Sequence, residues 1–250
     1  NLEGFNNLIT LESLGDYFNT LDQNVLSYFD VSPIRPEKVR TVEAGYRTML
    51  WDKLYMDATY YYSFYRDFIG FNFGVDATFD SFTGLPVSVQ PYRIAANATD
   101  RGTTQGFAIG YNYYFGGNYV INGHYSWNKL NTVTDDPIIP AFNTPEHKYN
   151  LGISGRDITL NLGFVEIKRL GFNVNYKWID EFIFEGSPQF TGVIPQYDLL
   201  DAQINWKAPR IHTTFKLGAS NLLNNQTFQT YGGPRIGRLA YLSALYDFEK

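Results

Sequence analysis

The chain has 250 residues, of which 44% are hydrophobic and 18% aromatic, and it contains no cysteine. This composition is typical of a folded chain rather than a disordered one. The net charge is −5 and no basic stripe is available to neutralise phosphates, so we expect no nucleic-acid partner. No run of about 18 apolar residues exists, which excludes a membrane-spanning helix.

The N-terminal segment differs from the rest of the chain. Between Leu11 and Phe29, apolar side chains recur every three to four positions, which is the spacing of one helix face. They are Leu14, Phe18, Leu21, Val25 and Phe29. We therefore predict that residues 1–36 form a loop segment with a short helix before Pro33 and Pro36. A helix packed on its own protein is favoured over one that contacts a partner.

From residue 37 onwards, apolar and polar residues alternate. For example, Leu200, Ala202, Ile204 and Trp206 alternate with Asp201, Gln203, Asn205 and Lys207, and the segment from Ile211 to Asn221 behaves in the same way. Successive side chains of a strand point to opposite faces, so each segment has an apolar and a polar face. We predict nine strands, over residues 38–51, 54–74, 91–115, 119–130, 147–155, 170–184, 197–208, 211–222 and 238–248.

The connections between these strands alternate between tight turns and long loops. The tight turns are 51–53, 116–118 and 208–210, and the long loops are 75–90, 131–146, 185–196 and 223–237. Together with the two-faced strands, this alternation predicts an all-β, antiparallel transmembrane β-barrel. In outer-membrane barrels the tight turns are periplasmic, so we place the long loops and residues 1–36 outside the cell. The segment 156–169 breaks this rule, and we expect a longer hairpin tip there.

An odd number of strands does not close a bacterial barrel of this kind. An open sheet edge in lipid leaves backbone groups unpaired, each at a cost of several kcal/mol. Because such barrels have even strand numbers, nine strands that start on the outer side imply further strands before Asn1. A soluble β-sandwich is a weaker alternative, because several predicted strands exceed the usual length of about five or six residues.

Four segments carry a resemblance to a known family. They are 35–46 (RPEKVRTVEAGY), 60–70 (YYYSFYRDFIG), 143–148 (NTPEHK) and 218–224 (GASNLLN). In this order and spacing they resemble the C-terminal part of a TonB-dependent outer-membrane receptor, most similar to the Bacteroidetes type, over residues 33–248. The resemblance implies a barrel of about 22 strands with a plugged lumen, of which residues 37–250 supply the last nine. It also implies that the plug and the energy-coupling TonB box lie N-terminal to this sequence.

The last strand resembles an assembly signal. Ala240, Leu242, Ala244, Tyr246 and Phe248 share one face, like the signal that the barrel-assembly machinery recognises. Glu249 and Lys250 follow the terminal aromatic residue, whereas the family pattern places that residue last. An ordinary closing strand with an apolar row explains the same residues equally well.

Loops on a rigid scaffold carry specificity, so we expect ligand-binding residues in the loops and the adjacent strand ends. The candidates combine aromatic rings with amide and guanidinium groups, which suit sugars or siderophores. They are Tyr92, Arg93, Phe190, Gln196, Phe228, Gln229, Tyr231 and Arg235. Packing between loops is the alternative role for each of them. A second aromatic set is typical of the girdle at the membrane interfaces: Tyr46, Tyr60, Tyr62, Tyr113, Tyr125, Trp127, Trp178, Trp206 and Tyr246.

The sequence offers little support for metal binding or catalysis. His124, His147 and His212 lie on different predicted strands, without cysteines or paired carboxylates at ligand spacing, so we predict no metal site. His124 and His212 fall on the polar face, where hydrogen bonding explains them. There is no nucleophile-elbow motif, and we predict neither a catalytic residue nor a cofactor.

The resemblance implies an outer-membrane importer of a specific ligand, with this chain as barrel wall and extracellular loops. Its expected partners are outer-membrane lipid, the TonB complex through the N-terminal part, the barrel-assembly machinery, a small-molecule or oligomeric ligand and a surface lipoprotein. The ligand class stays open between a siderophore, a corrinoid, a glycan and a peptide. The alternative is a passive porin, or a structural or secretion barrel whose loops bind proteins. A plug domain with a TonB box upstream would favour the importer.

Overall fold

A computed structural model describes residues 5–131, 142–186 and 191–248. The chain forms two compact units. The first comprises Asn1–Thr41, Ser63–Thr104 and Leu130–Ala141, and the second comprises Val42–Tyr62, Gln105–Lys129 and Phe142–Lys250. In the described part of the chain, no helix has the length and apolar character needed to cross a membrane.

The described residues are mostly β-strand. In chain order the elements are β1 (Phe5–Thr10), α1 (Leu11–Thr20), β2 (Tyr28–Val31), β3 (Lys38–Leu50), β4 (Leu54–Arg66), β5 (Ile69–Phe79), β6 (Pro86–Asn97), β7 (Gly102–Phe115), β8 (Tyr119–Leu130), β9 (His147–Asn161), β10 (Glu166–Ile179), β11 (Phe182–Glu185), β12 (Thr191–Ile194), β13 (Tyr197–Ala208), β14 (Thr213–Ser220) and β15 (Leu239–Tyr246). They form a nine-stranded sheet, a four-stranded sheet and a two-stranded hairpin.

The nine-stranded sheet contains one strand for each of the nine predicted segments. Its order, β3-β4-β7-β8-β9-β10-β13-β14-β15, follows the chain. The pairs β8–β9, β9–β10, β10–β13, β13–β14 and β14–β15 are antiparallel. The predicted fold class, a segment of an antiparallel barrel, is therefore confirmed.

The strand register produces the two faces that the sequence predicts. Val174 lies opposite Ile153 on one side and Ala202 on the other, so these apolar residues form one row across three strands. The next residue back, Asn173, lies opposite Ser154 and Gln203. Leu217, opposite Ile204 and Leu242, continues the apolar face, and all three side chains are more than half exposed, at 53%, 57% and 78%.

Stacked aromatic rings mark two levels of the apolar face. At one end of the sheet, Tyr149 stacks on Trp178 with ring centroids 5.4 Å apart. Towards the other end, Tyr119 lies 5.4 Å from Phe115 and 6.3 Å from Phe172. Tyr119 pairs with Gly155, six residues after Tyr149 on β9, so the two levels are about 20 Å apart along the strand. This spacing supports the girdle interpretation, because aromatic rings flank the apolar band of barrels at both interfaces.

The tight connections are built from local hydrogen bonds. The turn between β3 and β4 is closed by the Lys53 N–H, which donates to the Leu50 carbonyl at 3.1 Å. Between β9 and β10, the Leu162 N–H donates to the Val165 carbonyl at 3.0 Å. Both strands extend well into the segment 156–169, which is thus a longer hairpin tip. Ile211, expected on β14, lies in the 3-10 turn Pro209–Ile211 instead.

Three of the predicted strands were too long, and one of them, 170–184, divides after Ile179 into β10 and the separate hairpin strand β11. The segment 54–74 breaks at Asp67, whose φ of 54° turns the backbone away from the extended direction. The Asn97 side chain fixes this break, because its Nδ2 donates to the carbonyls of Asp67, at 2.6 Å, and Arg35, at 2.8 Å. The segment 91–115 also breaks, after Asn97, at residues 98–101. The expected loop 75–90 is therefore mostly strand, as the paired ends of β5 and β6.

The first unit has its own sheet and core. Its strand order is β2-β1-β5-β6, and α1 packs on it through Leu14 and Tyr17. Tyr17 is fully buried and donates its hydroxyl proton to the Gly84 carbonyl at 2.6 Å. The predicted helix is present, but Phe18 and Leu21 are exposed. The expected stripe does not continue past residue 20, because the helix ends at Thr20 and Leu21 has a left-handed φ of 55°.

Candidate functional site

The last long loop, residues 221–238, is anchored by two asparagines. Asn221 is buried, and its Nδ2 donates to the carbonyls of Asn225, at 2.7 Å, and Ile236, at 3.0 Å. The Asn225 N–H donates back to the Asn221 Oδ1 at 2.8 Å, and the Asn225 Nδ2 donates to the Asp198 carbonyl at 3.1 Å. Asn221, in the motif at 218–224, thus joins the two ends of the loop, and Asn225 connects the loop to β13.

Four predicted ligand-binding residues lie in this loop, and they divide into two kinds. Phe228 and Arg235 pair as an isolated β-bridge, with the guanidinium carbon 4.6 Å above the ring. Gln229 is exposed beside them. Tyr231 instead packs into the core cluster of Ile179, Ile194 and Tyr197. Phe228, Gln229 and Arg235 are accessible to a ligand, whereas Tyr231 holds the loop in place.

The neighbouring hairpin, β11–β12, is connected to the segment before β9. The Glu185 N–H donates to the Asn143 Oδ1 at 2.6 Å, and the Asn143 Nδ2 donates to the Glu185 carbonyl at 3.1 Å. Burial raises the pKa of the Glu185 carboxyl above its ordinary value. Gln196 follows this hairpin and is exposed. Phe190, the remaining candidate in this region, lies outside the described residues.

Tyr92 and Arg93 are placed differently from the expectation. They lie in the middle of β6 rather than at a strand end, and they belong to the first compact unit. Tyr92 packs against Phe5, with ring centroids 5.2 Å apart, and Arg93 lies 3.3 Å above the Phe71 ring. Tyr92 and Arg93 thus belong to the first unit, whereas the candidates of the last long loop belong to the second.

The polar face of the nine-stranded sheet carries a cavity that the sequence did not reveal. It has a volume of about 370 Å³, and its lining includes His124, Lys148, Asn150, Lys177 and Tyr197. His124 lies opposite Asn150, which lies opposite Lys177, so one row crosses three strands. The available signal was the position of both lysines on the polar faces of adjacent predicted strands. Their 29-residue separation hides this proximity until the register is known.

The aromatic residues at the chain end lie together. Tyr246 and Phe248 are exposed, and their rings meet edge to face with centroids 4.8 Å apart. The Asp247 N–H donates to the His212 carbonyl at 2.8 Å, which holds the segment against the turn before β14. Recognition of these residues by the barrel-assembly machinery stays a prediction. Across the described ranges, no group of three or more His, Cys, Asp or Glu side chains is arranged to hold a metal ion.

Comparison with known proteins identifies the family. The family model for the TonB dependent receptor-like beta-barrel matches residues 4–222. No curated protein sequence matches the chain. Similar solved structures include the FrpB iron transporter from Neisseria meningitidis (F3-3 variant), with 15% identity and a TM-score of 0.57 over 86% of this chain and 32% of that one. The copper transporter OprC has 15% identity and a TM-score of 0.59, over 84% of this chain and 31% of its own.

A third solved structure gives the same result. The siderophore receptor PirA from Acinetobacter baumannii has 17% identity and a TM-score of 0.57, over 85% of this chain and 32% of its own. The chain thus spans about a third of the length of the solved structures it matches. At such identities the structures show a shared fold, and the family model, which covers most of the sequence, supplies the assignment. The chain belongs to the TonB-dependent receptor β-barrel family.

Proposed function

We propose that this chain is the C-terminal barrel part of an outer-membrane TonB-dependent transporter that imports a specific ligand. Its extracellular loops capture the ligand, and a plug elsewhere in the protein then rearranges through contact with the TonB complex. The similar solved structures include an iron transporter, a copper transporter and a siderophore receptor, which supports a role in import. The Bacteroidetes origin stays a prediction.

The observation that carries the proposal is the chemical difference between the two faces of one sheet. Leu217 and Leu242 expose apolar surface that hydrocarbon would cover. The opposite face holds His124, Lys148 and Lys177 around a cavity, which requires water or a polar ligand. A sheet with lipid on one side and a solute path on the other is the wall of a transport barrel. The anchored loop 221–238 gives that path a fixed aromatic and cationic entrance.

Dependence on TonB distinguishes this proposal from a passive porin or a secretion barrel. The gene for the intact protein would be deleted and then restored on a plasmid, in one strain with functional TonB and in one without it. Uptake would be measured for labelled ferric siderophores, a corrinoid, oligosaccharides and peptides. We expect one class to accumulate only when both the protein and TonB are present. Accumulation that needs the protein but is indifferent to TonB would identify a passive pore and overturn the proposal.

A further inference from the structure

The cavity on the polar face is cationic. Lys177 lies directly opposite Asn150, and Lys148 lies two residues away from Asn150 on β9. The two lysines are therefore diagonal neighbours on adjacent strands, about 7–8 Å apart, with their β-carbons somewhat closer. Both ammonium groups can reach the same small ligand, because a lysine side chain is long and flexible. His124 completes the row on β8.

No ion pair in the described ranges neutralises either lysine, although the Asp201 carboxylate, which accepts a hydrogen bond from the Asn221 N–H at 2.8 Å, lies diagonal to Lys177 on β13. The salt bridges found in the described ranges involve Arg35, Lys38, Arg47 and Lys168, and none involves Lys148 or Lys177. Like charges held close together on a sheet repel each other unless an anion lies between them. Lys177 is exposed and Lys148 is half-buried, so the cavity presents positive charge to whatever enters it.

Two buried polar atoms add hydrogen-bonding capacity. The Ser126 Oγ and the Asn150 Oδ1 are buried without a hydrogen-bond partner. Asn150 lines the cavity, and Ser126 lies opposite Lys148. A buried acceptor such as the Asn150 Oδ1 requires a donor, which a ligand hydroxyl supplies. Ile179 and Tyr197, which are 6% and 7% exposed, give the cavity an apolar side for a ring or carbon chain.

We propose that this cavity binds an organic anion that carries hydroxyl groups, as the selective contact of the imported ligand. The lysines bind the anionic group, the Asn150 Oδ1 accepts a hydrogen bond from a ligand hydroxyl, and Ile179 and Tyr197 contact the carbon skeleton. An acidic sugar and a hydroxycarboxylate iron chelate share this chemistry. The inference rests on the proposed import function, and it names the class of ligand that the transporter would import.

Binding to the purified intact protein in detergent tests the inference. Trigalacturonate and ferric citrate represent the two sources of the anion, and galactotriose is the neutral counterpart of the sugar. We expect at least one anionic probe to bind at least tenfold more tightly than galactotriose. Lys177→Gln should weaken that binding about tenfold, and higher salt should weaken it further, because the contact is electrostatic. The probe that binds identifies the source.

Lys168→Gln is the matched control, because Lys168 lies on the same strand, is exposed and pairs with Glu166 at 3.0 Å. It should leave binding unchanged, and both variants should keep the heat-modifiable mobility of the folded barrel. Equal binding of trigalacturonate, ferric citrate and galactotriose, or no response to Lys177→Gln, would overturn the inference. TonB-dependent uptake of a neutral ligand that Lys177→Gln leaves intact would also overturn it, while leaving the import function standing. Uptake without TonB would instead overturn the import function alone.

Discussion

At the scale of single residues, two glycines on the polar face let tyrosines cross a strand. The Tyr241 hydroxyl donates to the Gln203 Oε1 at 2.8 Å, two strands away, and its ring passes over Gly218. The Tyr61 hydroxyl reaches Asn128 in the same way across Gly106, at 2.9 Å. A β-carbon at either glycine would overlap the ring, so the absent side chain is what permits the bond. These bonds connect alternate strands on the polar face of the sheet.

Single residues also determine which face of the sheet can contact lipid, and a substitution on β10 tests this assignment directly. Val174→Arg places a cation in the middle of the apolar row, between Ile153 and Ala202. In lipid vesicles we expect it to destabilise the intact barrel by about 2–4 kcal/mol, because the charge faces hydrocarbon. Urea unfolding, followed by the heat-modifiable gel shift, measures the loss.

The control for this test is the same substitution one residue earlier. Asn173→Arg should change the stability little, because position 173 is exposed on the polar face between Ser154 and Gln203. If the two variants were equally stable, the assignment of the faces in β10 would be wrong.

At the scale of elements, the β5–β6 hairpin owes its turn to one carboxylate. The Asp80 Oδ1 accepts hydrogen bonds from the Thr83 N–H at 2.7 Å, the Thr83 hydroxyl at 2.9 Å and the Phe82 N–H at 3.0 Å. These bonds, led by the one from the Thr83 backbone, lower the pKa of Asp80. This turn also presents the Gly84 carbonyl to the Tyr17 hydroxyl, and the resulting hydrogen bond holds α1 against the hairpin. A local turn therefore positions a helix that lies far away in the sequence.

Acid should loosen this turn. Because the pKa of Asp80 is lower in the folded state, its ionised form stabilises the turn above the unfolded-state pKa, and this stabilisation is lost as the pH falls through the folded-state value. Hydrogen exchange of residues 80–85 and of α1, corrected for intrinsic rates, should therefore show protection that falls below about pH 4. Asp80→Asn keeps an acceptor oxygen without the titration, and its protection should not vary over this range. Identical pH profiles for both proteins would contradict this role of Asp80.

The sequence predicts the nine-stranded sheet better than the loops, for a physical reason. The period of two is a local property, so each of the nine strands was found from its own residues. The break at Asp67 depends on the Asn97 side chain, 30 residues away, and so is not visible locally. The cavity was missed for a similar reason, since Lys148 and Lys177 meet only through register. Helix α1 was found from its spacing, but its buried face depends on where the helix stops.

At the scale of the whole molecule, the nine-stranded sheet has two open edges. Within the described residues, β3 and β15 each have a single neighbouring strand, and every residue of β15 is exposed. In hydrocarbon, such edges leave backbone N–H and C=O groups unpaired, which costs several kcal/mol for each group. Both edges therefore need partner strands in a closed barrel. The similar solved structures are about three times as long as the part of them that this chain covers, which leaves room for those strands.

The alternation of turns and loops predicts which parts of the chain face the medium in living cells. The sequence contains no cysteine, so single cysteines can report on position once any others in the intact protein are replaced by serine. Gln229→Cys, in the last long loop, and Ser81→Cys, in the β5–β6 turn, should react with a membrane-impermeant maleimide on intact cells. Arg210→Cys, in a tight turn, should react only after the outer membrane is permeabilised. All three positions are exposed, so a difference in labelling reports the side of the membrane rather than burial. Labelling of Arg210→Cys on intact cells would reverse the orientation and move the cavity and its loops to the periplasmic side.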